Sequence, residues 1–218
     1  IEPYSSEADV ILPTESAKPV VLVETGIETD RLFTSVMTDH GKLGKSLADA
    51  VIQDKAVKVG ILSGNQSQLG MRQRLKSVKD NLAEAGIEIS WILSEKELDK
   101  KMRNVEYFTE NPVDAVISLE NDDTEKAVDI ILNHDSISWK LYGEGRSEKL
   151  IYYLDKGTIQ ELAVPNEYYM GYQSIVLAAQ NIRYYTDKTE RADVEFYMVS
   201  KDNLYAEETS RILFPTVR

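Results

Sequence analysis

An α/β fold built on a mostly parallel sheet is predicted by three features of the 218-residue sequence. Short apolar runs alternate with longer segments whose apolar residues recur at helical spacing. The connections are short, and glycines stand where helices should stop. The composition is 42% hydrophobic and 28% charged, which suits an ordinary globular chain with enough apolar side chain for one or two cores.

The elements follow in order. Pro19-Val-Val-Leu-Val23 is predicted as a strand, halted by Gly26 and the charged segment Glu28–Arg31. Leu43, Leu47 and Val51 mark a helix from Gly41 to Ile52. Val57–Leu62 reads as a second strand, and the turn Ser63-Gly64-Asn65 leads into a helix over Ser67–Ala85. That helix carries Met71, Leu75, Val78 and Leu82 on one face and stops at Gly86. The alternation continues with strand Ile87–Leu93, helix Glu95–Arg103, strand Ala115–Leu119 and helix Thr124–Leu132. Strand Trp139–Tyr142, helix Ser147–Lys156 ended by Gly157, and strand Glu161–Val164 come next. A long helix Tyr168–Tyr184 and a last strand Val194–Val199 close the series, and Lys201–Arg218 reads as an irregular tail packed back on the domain. In parallel α/β sheets ligands sit beyond the carboxyl ends of the strands, so the loops after the strands are where function is sought.

Several activities find no support in the residues. The net charge is −12, from 25 basic and 37 acidic side chains, which disfavours nucleic acid as a partner of this chain. No apolar run is long enough to span a bilayer. The absence of cysteine removes disulfides, thiolate nucleophiles and Cys-based zinc sites, and His40 and His134 are not in a metal-ligand spacing. No G-x-S-x-G, Walker or G-x-G-x-x-G motif follows a strand, and Gly143-Glu-Gly145 lacks the third glycine. No cofactor and no catalytic residue are therefore expected.

Two clusters invite a functional reading beside a structural one. Glu120-Asn-Asp-Asp123 has the oxygen donors a hard cation takes, but Asp122, Asp123 and Thr124 also suit a helix cap and first turn, the reading preferred here. Arg72 and Arg74 stand near a helix start, against the helix dipole, where one of them can reach a cleft. Most of the 12 tyrosines are expected to be packing residues.

Three stretches resemble the type 1 periplasmic solute-binding proteins and the effector domains of lac-repressor-type regulators. They are Pro19–Glu24 with Asp39-His-Gly-Lys-Leu-Gly44, then Ile61-Leu-Ser-Gly64 with Arg72–Val78, and then Ala115–Asp122 continuing through Gly143, Leu154–Gly157, Val164-Pro165 and Met170-Gly-Tyr172. The resemblance implies a two-lobed, periplasmic-binding-protein-like fold, here one complete lobe (45–161) with the remainder of the other (1–44 and 162–200) and the tail 201–218. It implies crossovers near Asp39, Gln160 and Arg191, and a ligand trapped between closing lobes. The family's ligand-binding positions fall on Glu24, Arg72, Asn121, Asp122, Gly145 and Pro165. Gly145 stands where the family has an aspartate and Pro165 where it has a glutamine, so polar groups for sugar hydroxyls are fewer; Asn166 or Arg146 is placed to compensate.

The function implied is non-catalytic binding of a small polar solute, sugar-like or related, for uptake or sensing. Its partner would be a membrane transporter or sensor kinase, and its place extracellular or periplasmic, anchored through a segment before Ile1. The alternatives are the effector domain of a cytoplasmic transcription regulator and an interaction domain that has lost its small ligand.

Overall fold

In the computed structural model, residues 2–4, 20–27, 34–184 and 191–214 are described. The expected stop at 28–31 and the end of the tail from Pro215 lie outside them. The first elements are β1 (Val21–Val23), β2 (Thr34–Thr38), α1 (His40–Gln53), β3 (Lys58–Leu62), α2 (Leu69–Glu84) and β4 (Glu88–Leu93). Next come α3 (Glu95–Lys101), α4 (Glu106–Glu110), β5 (Ala115–Ser118), α5 (Asn121–Asn133), β6 (Lys140–Glu144) and α6 (Glu148–Lys156). The chain ends with β7 (Ile159–Pro165), α7 (Glu167–Tyr184), β8 (Arg191–Val194), β9 (Phe196–Ser200) and α8 (Glu207–Leu213).

Two sheets form. The larger has the order β4-β3-β5-β6-β7-β9, parallel except for β9, which runs antiparallel to β7. The smaller is β1-β2-β8, all parallel. Helices α1 and α2 cover one face of the larger sheet, burying Leu43, Leu47, Val51, Val78 and Leu82 against Val59, Ile61 and Ile117. Its other face carries Trp91, Phe108, Trp139, Leu150 and Leu154. Helix α7 lies on the smaller sheet, where Met170 and Leu177 meet Val21, Val36 and Val194.

The local signals act where the sequence puts them. Asp39 caps α1 by accepting from the Lys42 N–H at 2.9 Å. Ser147 caps α6, and Gly157 ends it at φ 81°, a conformation that costs a side-chain-bearing residue more than glycine.

The structure also departs from expectation. Strand β2 was not predicted, because Thr-Ser-Val-Met-Thr lacks an apolar run; it is buried through small polar side chains, with Thr34 and Thr38 nearly inaccessible. The short helix α4 was not predicted either. The single last strand is two strands in different sheets, parted at Glu195, and the tail contains helix α8 rather than being irregular throughout. The chain crosses between the sheets at Asp39, Asn166 and Glu195. The last two crossings fall later than Gln160 and Arg191, because β7 runs on to Pro165 and 191–194 is itself strand.

Candidate functional site

A cavity of about 390 Å³ opens where the carboxyl ends of β1, β5 and β6 face the starts of α2, α5 and α7. Arg74 is its centre. Its position on α2 follows Met71 by three residues and precedes Val78 by four, which puts it on the buried stripe of that helix. Only 1% of it is exposed. Its guanidinium donates Nε–H to His40 Nδ1 (3.0 Å), Nη1–H to the Leu119 carbonyl (2.8 Å) and Nη2–H to Glu24 Oε1 (2.5 Å). Since Glu24 follows β1 of the smaller sheet, this last bond ties the two sheets together across the cleft. Glu24 itself has φ 65°, an uncommon backbone for a non-glycine residue and a pointer to a constrained site.

His40 completes the hub. Because Arg74 can only donate, Nδ1 of His40 must accept, and Nε2–H then donates to the Glu24 carbonyl at 2.6 Å. Burial, reinforced by the Arg74 charge, holds the imidazole down to about 4, so it is neutral at physiological pH. Glu144, at the end of β6, has the opposite problem. Burial pushes its carboxyl up to about 8, the nearby Glu24, Glu167 and Glu120 add to the rise, and Arg74 at 3.5 Å offsets only part of it.

These two groups give stability opposite pH slopes. Glu144 binds its proton more tightly folded than unfolded, so its contribution is complete below about 4.5 and is lost as pH rises to about 8. His40 binds its proton more weakly folded, so its contribution is complete above about 6.5 and is lost as pH falls towards 4. Between these limits the slopes oppose each other, whereas above pH 6.5 Glu144 acts alone. Urea unfolding is therefore expected to show stability falling by up to about 2 kcal/mol from pH 6.5 to 8. The fall should vanish in Glu144→Gln; a slope that survives in that variant would show another group to be responsible.

The residues singled out from the sequence are not all brought together. Glu24, Asn121 and Asp122 line the cavity. Asn121 also pins the loop after β6, its Oδ1 accepting from the Arg146 and Ser147 N–H groups at 3.2 and 3.4 Å. Arg72 turns instead to the carbonyls of Gln66 and Ser67, on the turn before α2. Two residues along a helix is a rotation of about 200°, so Arg72 and Arg74 face opposite ways. Gly145 has φ 138°, and a Cβ there would lie 2.5 Å from Asn121 Oδ1; its neighbour Glu144 is the residue that lines the cavity. Pro165 ends β7 opposite Phe196, and Asn166 caps the following helix through the Tyr169 N–H at 3.1 Å, which places both at the crossing and outside the lining. Arg146 pairs with Glu167 at 3.1 Å across the cleft mouth.

Glu144 and Glu167 are lining residues that the sequence reading did not single out, while Arg74 was weighed beside Arg72 and Met170 appeared only within the family-like stretch. The signal for Arg74 was present, a charge on an otherwise apolar helical stripe. Asp123 is fully buried beside Lys126 rather than free for a cation, and among the described residues no cluster of three acidic or histidine side chains is arranged to hold a metal. A second hollow of about 670 Å³, lined by Arg146, Tyr152 and Phe214, adjoins the cleft on the outer side of the Arg146–Glu167 pair. It is the larger of the two but lacks the buried charge network, which is why the Arg74 cleft is taken as the site.

Comparison with known proteins supplies the remaining findings. A family model described as a periplasmic binding protein domain matches residues 14–185. No curated protein sequence matches significantly. Among solved structures, a Caulobacter myo-inositol binding protein bound to myo-inositol superposes with a TM-score of 0.82 at 20% identity, over 97% of this chain and 75% of that one. A carbohydrate transporter solute binding protein from Agrobacterium radiobacter, in complex with D-arabinose, gives 0.79 at 19% identity over 89% and 70%. A glucose-galactose binding protein from Geobacillus stearothermophilus gives 0.76 at 22% identity over 86% and 69%. At these identities the likeness speaks to the fold.

Proposed function

We propose, from the premise that this chain belongs to the family of periplasmic binding protein domains, that it holds a small polar solute of the sugar or cyclitol kind in the Arg74 cleft without transforming it. The observation that carries this reading is the cleft itself. It lies between two sheets, beyond the carboxyl ends of their strands, and the chain crosses from one sheet to the other beside it. Val23, Met71 and Met170 supply an apolar surface for ring C–H groups, while Asn121, Arg74 and the carboxylates supply hydrogen-bonding groups. The nature of the solutes named for the similar structures agrees with this class. Uptake or sensing outside the cytoplasm, with a transporter or sensor kinase as the receiving partner, fits the same family membership.

A thermal-shift panel of monosaccharides, amino sugars, cyclitols, nucleosides and amino acids tests the reading. A solute present at about 100 times its Kd should raise the melting point by roughly 5–10 °C. Gly171 lines the cleft, and a Cβ there meets nothing within 4 Å, so Gly171→Trp should fill the cavity without disturbing the fold. A shift in the parent protein that disappears in Gly171→Trp places the solute in the cleft. Shifts that persist unchanged in that variant would move the binding site elsewhere.

A further inference from the structure

The charge of the cleft narrows the class of solute. Among the described residues lining it, the acids Glu2, Glu24, Glu120, Asp122, Glu144 and Glu167 face a single basic side chain, Arg74. Four of these acids have partners within 3.3 Å. Glu24 takes the Arg74 Nη2–H, Glu167 pairs with Arg146, Glu120 accepts from the Asn65 N–H at 3.1 Å, and Asp122 accepts from the Asn121 Nδ2–H at 3.3 Å. Glu144 differs from them. Its side chain is only 10% exposed and lines the cavity, yet no N–H or O–H of the described residues is hydrogen-bonded to its carboxyl oxygens. Arg74 Nη1 forms only a long ion pair with it, at 3.5 Å, while giving a hydrogen bond to the Leu119 carbonyl at 2.8 Å.

We propose that the solute is a small polyol bearing an ammonium group, of the amino-sugar class, and that its ammonium is received by Glu144, with Asp122 and Glu2 also lining the cleft. The inference rests on the reading of the cleft as the binding site and adds the charge of its occupant. The argument is one of compensation. A buried carboxyl without a hydrogen-bond donor is costly, and a neutral sugar hydroxyl supplies a weaker donor than an ammonium does. An anionic solute would meet the excess acid directly. Among the described residues no group of three ligating side chains is placed to hold a bare metal ion, which would also leave the apolar surface of Val23, Met71 and Met170 without a use.

The groups facing Glu144 come from every side: Arg74 on α2, Glu24 after β1, Glu120 and Asp122 at the head of α5, and Glu167 at the start of α7. Near neutral pH Glu144 is mostly protonated, so pairing with an ammonium requires it to release its proton to solvent. Uptake of the aminated solute is then coupled to proton release, and uptake of its neutral counterpart is not.

Isothermal titration at pH 7 of D-glucosamine against D-glucose, and of D-galactosamine against D-galactose, in two buffers of different ionisation heat reads both effects. The aminated member of at least one pair should bind about tenfold or more tightly than its neutral partner. Its apparent heat should differ between buffers in the sense of proton release. Glu144→Gln should remove both the preference and the buffer dependence. Asp122→Asn, at an exposed position where folding is not in question, should weaken the aminated sugar a few-fold more than it weakens the neutral one. Neutral sugars that bind as well as or better than aminated ones, with heats lost in Gly171→Trp, would overturn the ammonium assignment and leave the cleft reading standing. Silence from all four sugars would also overturn it, and the wider panel would then decide the cleft reading separately.

Discussion

Arg74→Met should lower the stability of the folded chain by about 3–5 kcal/mol, the usual consequence of removing one partner from a buried ion pair. The substitution keeps much of the apolar volume, so the loss is not a cavity effect. What it removes is the donor set. His40 Nδ1 and the Leu119 carbonyl lose the N–H groups they accept, and Glu24 and Glu144 lose the positive charge between them. Glu24 is 21% exposed in its side chain and can turn to water, and Glu144 can stay protonated, so the cost belongs near the lower end of that range. Arg74→Lys should fall between the two, because a single ammonium cannot point along three directions as the guanidinium fork does. Urea unfolding at pH 7 measures the difference. Adding Glu144→Gln to Arg74→Met should recover part of the loss, since it removes the group left without compensation. A methionine variant within about 1 kcal/mol of the parent would show that the bond between the sheets contributes little to the fold.

The same network shows what could be read in the sequence and what could not. The helices and most strands were legible because their signals are local: the stripe of Leu43, Leu47 and Val51, the cap at Ser147 and the stop at Gly157. Strand β2 was not, because its burial comes from contact with β1 and β8, far apart in the chain, and three of its five residues are small and polar. In the site, Asn121 and Asp122 were reached through the family resemblance, and both line the cleft. Arg74 and Arg72 were both in view, and the choice between them turned on helical phase: only the residue in step with Met71 and Val78 points inward. Glu144 escaped notice because nothing local distinguishes a glutamate at the end of a strand. Its environment is made by α2, α5, α7 and the turn after β1, which meet only in the folded molecule.

Gly44→Val should destabilise the chain by about 3 kcal/mol, and the reason lies in how α1 and α2 approach each other. A Cβ at Gly44 would fall 2.5 Å from the carbonyl oxygen of Arg74 and 3.1 Å from Ser77 Cβ. The first of these is backbone and cannot rotate away, so the helices must part. Parting them also strains the bond that Ser77 Oγ donates across the contact to the Gly41 carbonyl at 2.7 Å. Alanine at position 44 should cost less, because its gain in helix propensity over glycine, about 1 kcal/mol, offsets part of the clash. Ser77→Gly should fail to rescue Gly44→Val, since it relieves only the more distant of the two contacts. Recovery of the urea midpoint in that double variant would place the obstruction at the side chain instead of the main chain. The position matters to the cleft because the obstructed carbonyl belongs to Arg74: any displacement of α2 at that point carries the guanidinium away from Glu24. A glycine on α1, packed against the Arg74 carbonyl, thus sets where the central cation of the site stands.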